Sequence, residues 1–554
     1  MNTYEHRPLI GRSRRIFLGF LCVFIGVHLW LISSCSSKPT NLRSLAPADT
    51  LVYLETNDLA AALQPIVDNK AFTDVAKSKP DFSALRGVQL AVVVTGFETK
   101  EEKLTEENSV GRVQPHFAAI ADTHAWSWQA RSFAENQLGE FVNNVYGGGI
   151  TLDTAPKNGG TYYTWTSEDG RKAYAFVDGS LIFFGNDEGS IDRCLAVKRG
   201  QADSILKNPK LPAADPAALA QGYISTDGVA QIANIVGLAM ASKTDEEEEV
   251  KSFIAGVLPQ ILRSSVSDVS WTGTKTDQGI EDKYLISTPA DVSNVLSETL
   301  VAPERTMFSE REARNVIADV PGKVASATRY NLKDPRIAWR SVLLLAQKLA
   351  GPASGTILSQ FASLLFEPYG IKDPETFLDS IGHPNSSRDI VTVKLDLEGE
   401  RLLVIATQGD EYNKTLKTLT DDMKPPKQNI EDGRNIWTGS KGDLQAVFVG
   451  GAVGIGSAQD LQQSERMMKY LTNDINSSEM EQLAASKSPV TTVGTDPELP
   501  PRIASTLSDK KSDDARATSR YLSETRFTKN GIERKTVSDF GLIGSIIAQL
   551  APED

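Results

Sequence analysis

One cysteine of the sequence stands where its thiol could take a covalent group. Cys35 directly follows Ile32-Ser33-Ser34, an aliphatic residue and two small ones. Small residues ahead of a cysteine fit a narrow protease site, and a cysteine that becomes the new N-terminus can carry lipid on its thiol. This order matches the bacterial lipobox, so it predicts cleavage before Cys35 and acylation of that residue.

The residues before Cys35 have the order of a signal peptide. A basic stretch ends at Arg14-Arg15, and an apolar run follows from Ile16 to Ile32. The arginine pair, followed by bulky apolar residues, also fits the twin-arginine export signal. An ordinary basic region read by the general secretion machinery is the alternative. Both routes leave the body outside the cytoplasm, because the positive charges precede the apolar run.

An uncleaved transmembrane helix is the alternative to the lipobox. The run from Ile16 to Ile32 has seventeen residues, which is at the short limit for crossing a bilayer. With a lipobox, residues 1–34 form a signal peptide and residues 35–44 a lipid-anchored tether. The acyl chains on Cys35 would then hold the protein on the lipid bilayer. The expected location is the cell envelope, on the periplasmic side or at the outer membrane.

The sequence offers few residues for metal binding or nucleophilic catalysis. H-E-x-x-H, G-x-S-x-G, paired-cysteine and Walker patterns are absent, and no two histidines have metal-pair spacing. We therefore predict no catalytic, cofactor-binding or metal-binding residue, and no cofactor. The histidines are His6, His28, His116, His124 and His383.

Cys194 is the one free thiol left if Cys22 is removed with the signal peptide and Cys35 is acylated. The neighbouring Arg193 could lower the pKa of this thiol and make it reactive. A buried small side chain is the favoured interpretation, because no partner for catalysis is evident in the sequence.

An internal similarity is the most informative feature of the body. Residues between Trp165 and Gly179 match residues between Trp437 and Gly451 at one constant offset of 272. Two further matches follow the same order in the chain, and an ordered set of matches indicates duplication. The matched pairs are Trp165/Trp437, Thr166/Thr438, Gly170/Gly442, Phe176/Phe448, Val177/Val449, Gly179/Gly451, Gly279-Ile280-Glu281/Gly531-Ile532-Glu533, Lys283/Lys535, Pro47/Pro321 and Asn57/Asn331.

The repeat also bears on two features that resemble binding motifs. Trp165 and Trp437 could be paired aromatic platforms for a sugar or peptide, but core positions are favoured. The run Gly450 to Gly456 resembles a nucleotide-binding loop. Its counterpart in the repeat begins at Asp178-Gly179 and has the pattern of a plain hairpin, so we expect a hairpin at both places.

The predicted fold class is α+β, with two tandem related halves over residues 45–300 and 301–554. Each half is expected to be an antiparallel sheet with helices packed on one face. Short apolar strands opening near Leu51 and Val324, glycine-containing hairpins and amphipathic helices support this plan. Helices are predicted from Asp58 to Asn69, around Phe133 to Val145, from Pro335 to Phe366 and from Tyr412 to Met423.

The composition limits the classes of partner. The formal net charge is −13, and residues 1–34 hold four arginines and one glutamate, so the remainder is more acidic still. An acidic body is a poor match for nucleic acid and would be repelled by anionic lipid headgroups. Three charged or polar segments, residues 99–108, 244–249 and 508–517, are expected to be solvated loops or helix ends.

The stretch from Leu45 to Leu54, Leu-Ala-Pro-Ala-Asp-Thr-Leu-Val-Tyr-Leu, resembles the opening of an uncharacterised family of exported bacterial proteins. Members of that family have a signal or anchor segment followed by a long α+β body. The resemblance implies an envelope location and brings no catalytic residue with it.

These observations lead to one leading functional hypothesis and two alternatives. The leading hypothesis is a non-enzymatic envelope lipoprotein that presents a surface or groove between its halves to a protein, peptide or glycan. The first alternative is a hydrolase with carboxylates between the halves. The second is a ligand carrier, which requires an internal cavity.

Overall fold

The computed structural model describes most of the chain from Thr40 onward. The predicted signal peptide lies outside the described residues, and so do Arg14, Arg15, the lipobox and Cys35. Within the described part, no helix is both long and apolar enough to cross a membrane. The described ranges are 40–103, 109–157, 159–241, 248–300, 325–351, 363, 365–381, 390–395, 402–408, 411–425, 435–449, 452–457, 486–508 and 516–551.

The described residues form twenty β-strands that join in a single sheet, and each pairing between them is antiparallel. Together with the helices this confirms the α+β class. The strands are β1 Val52–Thr56, β2 Gln89–Lys103, β3 Ser109–Asp122, β4 Thr151–Lys157, β5 Gly160–Thr166, β6 Lys172–Asp178, β7 Leu181–Gly185, β8 Ala220–Ile224, β9 Asp268–Thr276, β10 Gly279–Ser287, β11 Ser326–Tyr330, β12 Ile390–Lys394, β13 Leu402–Thr407, β14 Met423–Lys424, β15 Asn435–Gly439, β16 Leu444–Val449, β17 Ala452–Ser457, β18 Val490–Asp496, β19 Ser519–Thr528 and β20 Gly531–Ser538.

The order of strands across the sheet has a regular plan. From one edge inward, the pairings run β4-β5-β6-β7-β3-β2-β1-β8-β9-β10. From the other edge inward they run β14-β15-β16-β17-β13-β12-β11-β18-β19-β20. The two series meet where β10 pairs with β20, from Ile280 opposite Ser538 to Ser287 opposite Gly531.

The helices begin and end where local chemistry favours it. The Asp58 side chain accepts a hydrogen bond from the Ala61 N–H and so caps the first helix. Gly147 ends the helix before β4 with φ of 91°, as the glycine run predicts. The helices are α1 Leu59–Asp68, α2 Lys70–Val75, α3 Ser127–Phe133, α4 Gly139–Tyr146, α5 Glu188–Lys198, α6 Thr226–Ala241, α7 Glu248–Ser265, α8 Ala290–Leu300, α9 Pro335–Ala350, α10 Pro374–Ser380, α11 Tyr412–Lys417, α12 Leu499–Leu507 and α13 Gly541–Ala548, with a π-helical turn at Ala134–Leu138.

The prediction that helices cover one face of the sheet is wrong for β1–β3 and β5–β7. Helices α1 to α4 pack on one face, but α5 packs on the other through Ile191, Cys194 and Leu195. The physical reason is that β2 and β3 are apolar on both sides, with Leu90 and Val94 in one core and Ala91 and Val93 in the other. A strand that is apolar on both faces must be covered on both.

Helices of one predicted half also complete the core of the other. Ile503 of α12 and Ile547 of α13 lie in the same buried cluster as Leu63 of α1 and Phe72 of α2. In the opposite direction, Leu296 of α8 packs with residues of α9 and β20. The segments 45–300 and 301–554 therefore share their hydrophobic cores rather than packing separately.

Several predicted boundaries are wrong. Leu42 and Arg43, assigned to the tether, are buried in the body, and Thr99 to Lys103 belong to β2 rather than to a loop. The last predicted helix ends at Lys417, and Met423 lies in β14. Helix α9 ends at Ala350, and the described residues Phe366 to Tyr369 form a separate turn.

Candidate functional site

A cavity lies between the sheet and helices α9 and α10. It has a volume of about 410 Å³. Its floor is formed by Ile390 and Val404 of two neighbouring strands and by Phe527 of β19. Trp339 and Phe377 of the two helices close it from above. We refer to this space as the α9 pocket.

Local sequence explains why α9 leaves this space. Asp334 caps the helix by accepting from the backbone N–H groups of Arg336 and Ile337, which fixes its start above β11. The residue of α9 buried deepest over the pocket is Ala338, whose small side chain does not reach the sheet. Trp339 instead turns edge-on against Phe366, with ring centroids 4.9 Å apart.

The space under α1 shows what a filled equivalent looks like. Leu63 and Ile66 of α1, Phe72 of α2 and Phe82 are almost completely buried against β1 to β3. There, large buried side chains of the helices pack against the sheet. The contrast identifies the α9 pocket as a property of α9 and its neighbours, not of the sheet.

The α9 pocket carries three hydroxyl groups among otherwise apolar walls, those of Tyr330, Tyr369 and Thr392. A side-chain hydrogen bond links Tyr369 and Thr392. Burial raises the pKa of Tyr369, and the neighbouring Tyr330 adds to the rise, so this phenol stays protonated at neutral pH. The lining residues within the described part of the chain include no carboxylate, histidine or cysteine, so they can offer hydroxyl hydrogen bonds and apolar contact.

The seam between β10 and β20 holds carboxylates, but they face opposite sides of the sheet. Glu281 lies between two lysines, with Oε1 2.9 Å from Lys283 Nζ and Oε2 2.7 Å from Lys535 Nζ. Partial burial opposes ionisation of Glu281, but the two ammonium groups outweigh it and its pKa lies below the ordinary value. Asp282 points into the core instead, so these neighbours form no convergent acid–base pair.

The structure places the three residues that sequence analysis left open between core and site. Cys194 is fully buried, which confirms the favoured interpretation, and burial raises its pKa to about 12. Arg193 is directed to Asp49 at 3.4 Å and does not activate the thiol. Trp165 is buried in the core and Trp437 packs half-buried beside Tyr412, so neither is an open platform.

Other candidate features are structural in the described part of the chain. No group of three or more histidine, cysteine or acidic side chains is placed there to hold a metal ion. Strands β16 and β17 pair in register up to Val449 and Ala452, as in the predicted hairpin, although Gly450 and Gly451 themselves lie outside the described residues. His116 and His124 lie beside Glu98 and Asp122 respectively.

Comparison with known proteins adds little to this geometry. No protein-family model matches the chain, and no curated protein sequence does. Among solved structures, the DNA polymerase sliding clamp from Bacillus subtilis aligns with 11% identity over 74% of this chain and 98% of that chain, at a TM-score of 0.06. A likeness at that TM-score carries no argument about fold or function.

Sequence reasoning missed the residues that line the α9 pocket. Tyr330 and Phe527 are almost two hundred residues apart in the chain and meet only because β11, β18 and β19 are neighbours in the sheet. One signal was present: α9 is apolar around most of its circumference, with Ile337 48% and Leu344 65% exposed. A helix that cannot bury all of its apolar residues is a reason to look for a binding site beside it.

Proposed function

We propose that this chain is an exported, lipid-anchored envelope protein whose body binds an apolar small molecule in the α9 pocket. The single observation that carries the binding function is the cavity of about 410 Å³ whose lining is mostly apolar and includes three hydroxyl-bearing residues. Ligand sites of this size typically combine an apolar lining with a few polar groups that fix orientation.

The physical argument rests on packing. Protein cores are close-packed, with few voids larger than a water molecule, because each void loses van der Waals contacts along its lining. The α9 pocket is partly open, since its lining residues Leu365 and Val342 are exposed, so when empty it presents apolar surface to water. An apolar ligand would cover this apolar surface, whereas water finds few hydrogen-bonding partners among the described lining residues.

The lining also indicates the chemistry of the ligand. The walls of Val342, Phe377 and Val404 suit an alkyl or ring system. Tyr330, Tyr369 and Thr392 suit one hydroxyl, carbonyl or ester group, because each can donate a hydrogen bond to an oxygen. A charged group is disfavoured, since the lining supplies no counter-charge.

The proposal includes the duplication predicted from the sequence. Two series of ten strands in the same relative order meet at β10 and β20, which supports it. Lys283 lies directly opposite Lys535, its match in the sequence repeat, as expected when two related units meet on a twofold axis. In this reading, the first unit keeps a filled core while the second carries the pocket.

Export and anchoring are part of the same proposal and have their own test. The predicted lipobox at Ile32-Ser33-Ser34-Cys35 supports them. The mass of the N-terminal peptide from membrane fractions should correspond to a diacylated or triacylated Cys35, and a Cys35→Ser variant should lose that mass and its membrane retention. An unmodified N-terminus would reject the lipid anchor and leave the binding function standing.

Blocking the α9 pocket tests the binding function. Ala338→Trp places an indole in the cavity, whereas Leu344→Trp adds the same indole to an exposed position of the same helix. Titration with the methyl ester of the fluorescent fatty acid parinaric acid, which carries no charge, should give saturable one-to-one binding to the parent and to Leu344→Trp. Ala338→Trp should bind at least tenfold more weakly.

The parent, Ala338→Trp and Leu344→Trp should differ in the compounds that co-purify with them. Organic extraction followed by mass spectrometry should recover an apolar compound from the parent and from Leu344→Trp, but not from Ala338→Trp. Val404→Phe fills the cavity from the sheet side. It is a second blocking variant that does not alter α9, in case Ala338→Trp misfolds. Equal binding by all four proteins, each with parental circular dichroism, would reject the pocket as the site.

A further inference from the structure

Two tryptophans of the body are exposed on one short segment. Trp126 and Trp128 expose 60% and 57% of their surface at the start of α3. The four other tryptophans in the described part of the chain are buried or half-buried. Strongly exposed tryptophans are uncommon on surfaces that contact only water. They are enriched at interfaces between an apolar environment and water.

The loop before α3 holds these indoles in a fixed position. Thr123 donates two hydrogen bonds to the carbonyl of Ser180, from its N–H at 3.1 Å and from its hydroxyl at 2.9 Å. The N–H of His124, which has a positive φ of 51°, donates to Asp122 Oδ1 at 3.0 Å. The N–H of Trp126 donates to Gln129 Oε1 at 3.0 Å. The backbone that carries the two indoles is therefore held in place by hydrogen bonds within the fold.

The chain enters at the same edge of the body, where β2 begins and β3 ends. The Thr40 N–H donates to Gln89 Oε1 at 2.8 Å, and Gln89 Nε2 donates back to the Thr40 carbonyl at 3.0 Å. The Thr40 hydroxyl bonds the carboxylate of Asp122, which also fixes the loop that carries Trp126. One carboxylate thus joins the end of the tether to the tryptophan loop.

Chain length then limits how far this edge can be from the bilayer. Thr40 is five residues beyond Cys35, so an extended tether spans about 18 Å at most. If the apolar run ending at Ile32 were the anchor instead, eight residues would span about 28 Å. With either anchor, the edge that carries Thr40, Asp122 and Trp126 stays within one tether length of the membrane.

From these observations we infer that Trp126 and Trp128 insert into the interfacial region of the bilayer to which the chain is anchored, and so orient the body on the membrane. Indoles favour this region because their ring is apolar and their N–H can bond to headgroups or water. An acidic protein cannot use a basic face for the purpose, so an uncharged aromatic contact suits it. The inference rests on the proposed membrane anchoring and is independent of the α9 pocket.

The test measures contact between the indoles and lipid. The mature protein is purified from membranes and reconstituted in phosphatidylcholine vesicles, part of whose acyl chains carry bromine, which quenches tryptophan fluorescence on contact. Quenching is compared for the parent, the W126F/W128F double variant, and the matched controls Trp437→Phe and Trp339→Phe. Both substituted positions of the double variant are exposed, so its fold should be unchanged.

The parent should be quenched, the double variant should lose nearly all of that quenching, and both controls should keep it. Quenching retained by the double variant, or absent from the parent, would overturn the inference. Quenching lost only in Trp339→Phe would mean that the brominated chain enters the α9 pocket instead. The mass of the N-terminal peptide is measured on the same samples. It shows whether an absence of quenching comes from a missing membrane anchor, a result that also overturns the inference.

Discussion

The indole nitrogen of Trp271 donates a hydrogen bond of 2.9 Å to Asp282 Oδ1 inside the core. The other carboxylate oxygen accepts from the backbone N–H of Leu542 at 2.8 Å, so the same side chain holds the C-terminal helix α13. Burial raises the pKa of Asp282 to about 6 despite these two donors. This carboxylate therefore couples the docking of α13 to pH.

The pH dependence of stability has a definite sign. Between 3.8 and about 6 the folded state binds a proton at Asp282 that the unfolded state has released. The free energy of unfolding should therefore fall as pH rises through that window and level off above it. Urea unfolding at a series of pH values measures this. Asp282→Asn should remove the slope, while Asp277→Asn, exposed on the same hairpin, should keep it.

Removing the indole donor should destabilise the fold. Trp271→Phe keeps most of the ring volume but leaves one buried oxygen of Asp282 without its partner. We expect a loss of about 1–3 kcal/mol in the free energy of unfolding. Trp128→Phe, which changes the same atoms at an exposed position, should alter stability by less than about 0.5 kcal/mol. Equal effects of the two variants would contradict this assignment.

The buried ion pair of Arg43 and Glu55 should be far more sensitive than a surface pair. Arg43 Nε donates to Glu55 Oε1 at 2.6 Å, and both side chains are almost fully buried. Glu55→Gln leaves the guanidinium without a counter-charge, which should cost about 3 kcal/mol. Asp203→Asn breaks the exposed pair with Lys207 and should cost less than about 1 kcal/mol. Urea unfolding compares the two.

A single hydroxyl should contribute measurably to binding in the α9 pocket. Tyr369→Phe keeps the walls but removes a donor linked to Thr392. Loss of one hydrogen bond of about 1 kcal/mol corresponds to roughly fivefold weaker binding. The affinity for the compound recovered by extraction is the measurement, and Tyr412→Phe, on an exposed tyrosine, is the control. Unchanged affinity would mean that the hydroxyl does not face the ligand.

The thiol of Cys194 should be inert in the folded protein. It is fully buried, and burial raises its pKa to about 12, so neither access nor ionisation favours reaction. N-ethylmaleimide should label it only after unfolding in denaturant, as measured by intact mass. A Cys194→Ser variant identifies the labelled position. Rapid labelling of the native protein would show that α5 opens away from the sheet.

Much of the fold follows from local pattern. The Asp58 cap, the end of α4 at Gly147 and the hairpins at Gly279 and Gly531 were all predictable, because each depends on a few adjacent residues. Helix α6 was not, because the face that it buries is built from Gly228, Ala233 and Gly237 rather than from large apolar residues. A Cβ on Gly237 would lie 2.4 Å from Pro259 of α7, so close helix packing replaces the usual apolar stripe.

The candidate site could not be derived from the sequence for a different reason. A cavity forms where side chains from separate elements do not fill the space that those elements enclose. No contiguous stretch of sequence therefore encodes it. The α9 pocket depends on Ala338 being small, on Trp339 turning to Phe366, and on Phe527 arriving from β19. The predicted anchor, by contrast, is a contiguous pattern and remains a prediction that the N-terminal mass will test.

The exchange of helices between the two segments has a consequence for biogenesis. The first strands and helices emerge early in synthesis, but their core lacks Ile503, Phe540 and Ile547 until nearly the whole chain has been made. A nascent or partly translocated chain must therefore expose the apolar surface of this incomplete core until several hundred further residues have been synthesised. We expect dependence on a holding chaperone during synthesis. Removal of the last thirty residues by a protease or an early stop codon would then damage the beginning of the protein as much as its end.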